Sequence, residues 1–72
     1  MVMMPLNLAE VGEEVIIRRL GGSSEVRSHL ADMGFVVGSP VTVVTEIGGN
    51  LIVNVKDSRV AVSKEMAGKI MV

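Results

Sequence analysis

The sequence predicts a mainly β fold, a small and strongly bent barrel of about five short strands with one short α-helix. Three features carry that expectation. Eight glycines and two prolines cut the 72 residues into short pieces. Most pieces alternate apolar with polar residues or run through β-branched ones, as strands do. Only one stretch, near residues 24–33, repeats its apolar residues with the period of a helix. A chain this short holds one domain, spanning residues 1–72.

The elements are justified in chain order. Met1 to Gly12 is an apolar lead-in, with Leu6, Leu8 and Val11 spaced like one helical turn. Glu14 to Leu20 is β-branched and apolar on both faces, as expected of a strand in a barrel, and Gly21-Gly22 ends it. Ser23 or Ser24 is a helix cap, and Glu25 meets the positive end of the helix dipole. Val26, Leu30 and Met33 form the apolar stripe, and Gly34 is the left-handed residue that closes the helix. Phe35 to Pro40 reads as a turn containing Gly38. Val41, Val43, Thr45 and Ile47 alternate with Thr42, Val44 and Glu46 in a strand. Gly48-Gly49-Asn50 makes a hairpin into a second alternating strand through Leu51, Val53 and Val55. Asp57-Ser58 turns the chain again, and Val60 and Val62 share a face. Ser63 caps a helical turn near 64–67, Gly68 ends it, and Ile70 and Val72 close the fold.

Composition removes whole classes of function. The chain has no cysteine, so disulfides, thiolate zinc sites and Cys nucleophiles are excluded. A net charge of −1 lacks the basic surplus of a nucleic-acid binder. One Phe with no Tyr or Trp builds neither an aromatic groove for proline-rich peptides nor a base-stacking platform. The longest uncharged run, Met33 to Thr45, is too short and too broken by glycine and proline to cross a bilayer. The N-terminus lacks a basic leader, and the expected location is the cytoplasm.

Catalysis finds no footing, because His29 is the one histidine and no nucleophile–base pair is spaced for it. The best metal candidates are Glu25, His29 and Asp32, which lie at i, i+4 and i+7 on one helical face. Their mixed nitrogen and oxygen donors suit a divalent transition metal such as ferrous iron or manganese, although a solvated helix face is the simpler account of them. Arg18, Arg19 and Arg27 concentrate positive charge and would meet phosphates or an acidic partner. Met33 and Met66 sit where core residues belong. Met1, Met3 and Met4 crowd one terminus, and exposure there favours a partner or a second copy of the chain.

Pro5-Leu6-Asn7-Leu8, Val11-Gly12-Glu13 and Arg27 through Gly34 occur in that order, followed by Val37-Gly38 and Val41-Thr42-Val43. The close is Arg59-Val60-Ala61-Val62, Glu65-Met66-Ala67 and Ile70-Met71-Val72. Over nearly its whole length the chain resembles the FeoA family, small accessory proteins of bacterial ferrous iron uptake. It departs from the family in having Val37 where proline is common, His29 where a basic residue is frequent, and a short loop at Gly48-Gly49-Asn50. The resemblance implies an SH3-like barrel and a non-enzymatic role. It also implies a partner, the membrane transporter FeoB with its cytosolic GTP-binding domain, and recruitment to the inner face of the membrane. On that basis the helix end is the expected contact, through Arg27, Leu30, Met33 and Gly34. Val26 and Met33 lie within about 20° of each other and are expected to anchor the helix, leaving Leu30 at the edge of the stripe, either a half-exposed interface anchor or, as leucines generally are, ordinary core. The competing reading is a metal-responsive regulatory domain built on Glu25, His29 and Asp32.

Overall fold

A computed structural model describes residues 3–72. Among the described residues, six strands and two short helices make up the fold. A 3-10 turn at Leu6–Leu8 leads to β1 (Glu14–Ile16), β2 (Arg19–Leu20) and α1 (Ser24–Asp32). Strands β3 (Pro40–Ile47), β4 (Asn50–Val55) and β5 (Ser58–Ser63) come next, then α2 (Lys64–Ala67) and β6 (Ile70–Met71). All ladders are antiparallel: one sheet has the order β1-β3-β4-β5, and a second pairs β2 with β6. Among the described residues the ladders do not close into a continuous barrel. The run from Glu14 to Leu20, expected to be one strand, is split between the two sheets, and the buried Ile17 marks the crossing.

The core lies between the sheets and under α1. Leu6, Ile17, Leu30, Phe35, Val41, Val43, Val53, Ala67 and Ile70 are the most deeply buried side chains. The alternation read from Leu51, Val53 and Val55 holds, and all three are buried. In β3 it fails after Val43. A bulge between Val43 and Thr45 inserts one residue, so Glu46 faces Leu51 and Ile47 faces Asn50. One extra residue moves every later side chain to the opposite face, which is why Ile47 is 63% exposed. The hairpin after β4 turns at Lys56-Asp57, one residue earlier than expected. Both residues have positive φ, 48° and 64°, the conformation of a tight hairpin turn.

Phe35 is the largest fully buried residue, although its position between two glycines reads as a turn. Its backbone does turn, with its N–H donating to Leu30 O at 3.0 Å, and this closes α1 while dropping the ring into the core.

Candidate functional site

α1 is built as the sequence dictates. Ser23 Oγ accepts from Val26 N–H at 3.2 Å, and Glu25 sits in the first turn. Gly34 stands after the C-cap with φ 104°, a backbone region that L side chains rarely adopt. Its N–H donates to Ala31 O at 2.9 Å.

The helix presents the expected contact residues unequally. Arg27 is exposed, and its Nη1 reaches back to donate to Gly22 O at 3.4 Å. Met33 and Gly34 are half-buried. Leu30 is fully buried, as the reading of it as core expects and against the reading of it as a surface anchor. Val26, Leu30 and Met33 lie within one sector too narrow for angle alone to rank them. Depth in the core ranks them instead: Leu30, in the last turn of α1, is fully buried, and Val26 and Met33 on either side of it along the axis are half-buried.

The metal reading also loses its geometric footing. Glu25, His29 and Asp32 are all exposed, and no group of three His, Cys, Asp or Glu among the described residues is placed to hold a metal. Seven residues of helix separate Glu25 from Asp32 by about 10 Å along the axis. Ligands must come within roughly 2 Å of one ion. A single short ridge does not converge on a point.

The turn after α1 exposes apolar residues that periodicity alone does not single out. Val36 and Val37 are 38% and 57% exposed, and Ile16 of β1 is 41% exposed. The turn that carries the valines is firmly held. Ser39 N–H donates to Val36 O at 3.0 Å, Gly38 N–H to Ile17 O at 2.7 Å, and Ile17 N–H to Ser39 O at 3.0 Å. Gly38, with φ 93°, supplies the positive φ this turn requires. The signal in the sequence is Val37 itself, an apolar residue at a turn position where nothing buries it.

Beside that corner, an open cleft of about 370 Å³ lies on the outer face of the four-stranded sheet, lined by Glu14, Pro40, Thr42, Asn54, Val55, Lys56 and Asp57. It is assembled by register, because Glu14, Thr42 and Asn54 are successive cross-strand partners. Arg59 Nε donates to Asn54 Oδ1 at 3.3 Å and continues the row. No sequence motif announces such a row, since three strands contribute one residue each.

Fold and surface together define a small SH3-like module that presents a firmly held apolar corner. Three comparisons place it further. A family model for the FeoA domain matches residues 4–72. A protein of Methanocaldococcus jannaschii named as an Fe(2+) transport protein A is 36% identical over 97% of this chain and 85% of its own. Among solved structures, an iron uptake regulatory protein, FeoA, superposes with a TM-score of 0.88 at 27% identity, covering 97% of this chain and 95% of that one. The zinc-complexed FeoA of Stenotrophomonas maltophilia, described as a prokaryotic SH3 domain protein, has a TM-score of 0.75 at 23% identity and covers 93% and 86%. That last likeness speaks for the fold alone. The chain belongs to the FeoA family, the accessory proteins of ferrous iron transport.

Proposed function

We propose that this protein is a non-enzymatic regulator of ferrous iron transport that acts in the cytoplasm by docking on the cytosolic, GTP-binding part of a FeoB-like membrane transporter. The observation that supports docking is the exposed pair Val36 and Val37 on a braced turn directly after α1. A rigid apolar tip loses little conformational freedom on binding, and apolar residues inside a polar rim are the usual anatomy of an interface. Half-buried Met33, the C-cap of α1, lends adaptable surface beside the tip, and Arg27, its guanidinium turned back to Gly22 O, adds an exposed cation toward the start of the helix. Leu30 and Gly34 contribute by fixing where the turn leaves the helix. No helix among the described residues is long and apolar enough to cross a membrane. Localisation at the inner membrane face therefore depends on the partner in this reading.

The test is a titration of the cognate transporter's cytosolic region into this protein, monitored by calorimetry. Binding that is lost in Val37→Asp with an unchanged melting temperature supports the reading. Equal binding by wild type and Val37→Asp moves the interface elsewhere. Absence of binding to any part of the transporter removes the proposal.

A further inference from the structure

β1 is an edge strand. It pairs with β3 on one side, and among the described residues no other strand is laddered to it. Ile17 exchanges its backbone hydrogen bonds with Ser39 and Gly38, so the odd-numbered residues of this stretch turn their main-chain groups toward β3. Backbone groups alternate sides along a strand, so Glu14 and Ile16 turn theirs outward. At Arg18 the outward side is taken, because its N–H donates to Met71 O at 2.8 Å. The open stretch is therefore Glu14 to Ile16, bounded by β6. An edge of this kind is a template for another strand.

The order of charges says which strand fits. Glu14, Ile16 and Arg18 alternate along the chain and are all exposed. An acid and a base set symmetrically about an isoleucine complement themselves when the strand is reversed. We propose that β1 pairs edge to edge with β1 of a second copy, antiparallel, about a two-fold axis at Val15. Glu14 then faces the partner's Ile16, Ile16 faces the partner's Glu14, and each pair exchanges two main-chain hydrogen bonds. Glu14 lies diagonally across from the partner's Arg18, roughly 7–8 Å between backbones, which long side chains span. The two Ile16 side chains become diagonal neighbours and shield one another.

Other registers fail on the same grounds. Slipping by one residue sets outward groups against inward ones. Pairing Glu14 with the partner's Glu14 opposes like charges. Pairing Glu14 directly with the partner's Arg18 needs an N–H that β6 already holds. The guanidinium of Arg18 carries five donors, so the ion pair adds a partner to whatever Arg18 already touches. The contact is small, so the dimer is weak, dependent on concentration and loosened by salt.

Sedimentation equilibrium on the full chain, from roughly 10 μM to 1 mM, tests this. The wild type is expected to shift from monomer to dimer across that range. Glu14→Arg alone and Arg18→Glu alone are each expected to remain monomeric, because each sets like charges across both diagonals. Mixed in equal amounts, the two variants are expected to form a one-to-one heterodimer, since every diagonal then joins an acid to a base. Circular dichroism verifies that each variant folds. Ile16→Lys, at an exposed side chain beside the axis, gives a further check and is also expected to be monomeric. A wild type that stays monomeric throughout, a dimer that survives Ile16→Lys, or folded single variants that do not associate on mixing would each overturn the proposal.

Discussion

The two helices begin alike and end differently. Ser23 Oγ accepts from Val26 N–H and Ser63 Oγ from Met66 N–H, both at 3.2 Å. Each helix has an acid in its first turn, Glu25 in α1 and Glu65 in α2, and each is succeeded by a glycine. The glycines are not equivalent. Gly34 after α1 has φ 104°, whereas Gly68 after α2 has φ −63° and remains in the right-handed helical region. The first glycine is needed for the turn it makes, and the second occupies a place that other residues can adopt. The buried residues differ too: α1 inserts Leu30 and the single-turn α2 inserts Ala67. Backbone reversal after α1 throws Val36 and Val37 onto the surface, while α2 leads directly into β6 and the core. Lys64 adds an ion pair to Glu46 that fastens α2 to β3.

Substituting the buried leucine is expected to have the largest effect. Leu30→Gln removes a fully buried aliphatic group and strands an amide, which costs about 3–5 kcal/mol. A domain of this size holds roughly that much in total. The variant is expected to be largely unfolded at room temperature, as circular dichroism would reveal. A folded variant that had lost only partner binding would restore Leu30 to the surface and break the comparison.

Next comes the glycine that turns. A Cβ at Gly34 would stand 3.5 Å from Val55 Cγ1, an ordinary contact, so space does not oppose it. Conformation does. Gly34→Ala is expected to cost about 1–2 kcal/mol in urea unfolding, because φ 104° is strained for any side chain. It is also expected to displace the Val36–Val37 turn, measurable as shifted amide resonances there.

The caps rank below this. Ser63→Ala is expected to cost about 1–2 kcal/mol, and Ser23→Ala about 0.5–1. Ser63 is half-buried and starts a helix of a single turn, whereas water replaces much of what the exposed Ser23 provides. Equal losses in parallel melts would mean that burial of the cap is irrelevant.

Much of this architecture is legible in the sequence, for reasons that particular residues make plain. Ser23, Glu25 and Gly34 mark α1 because capping, dipole and positive φ are local, and local chemistry is written in consecutive residues. Ser63 marks the start of α2 in the same way, whereas Gly68 follows its end without the positive φ of Gly34. The failures are all non-local. Nothing near Val44 predicts a bulge, so the outward turn of Ile47 is hidden. Phe35 looks like a turn residue until the core it fills is assembled. The row Glu14–Thr42–Asn54 exists only by register, and which of the two readings of Leu30 holds depends on what lies beneath the last turn of α1. A surface made by several strands leaves no consecutive trace.

Gly68→Ala is the smallest predicted effect and the sharpest control for the comparison. Two opposing contributions meet there. Alanine restricts the unfolded chain and favours the helical φ that Gly68 already has, which together stabilise by about 0.4–1 kcal/mol. Against this, the new Cβ would stand 3.4 Å from both Glu65 O and Lys64 O, the near limit of comfortable contact, and 3.7 Å from Asn7 Nδ2. These are the carbonyls that any next helical residue meets, so the opposition is slight. The expected net change lies within about 0.5 kcal/mol of zero, on the stabilising side. Thermal melts of Gly34→Ala and Gly68→Ala, run together, isolate the sign of φ, since the same atom is added after a serine-capped helix in both. If Gly68→Ala fell as far as Gly34→Ala, space around each glycine, and not its backbone angle, would be what the two helix ends have in common.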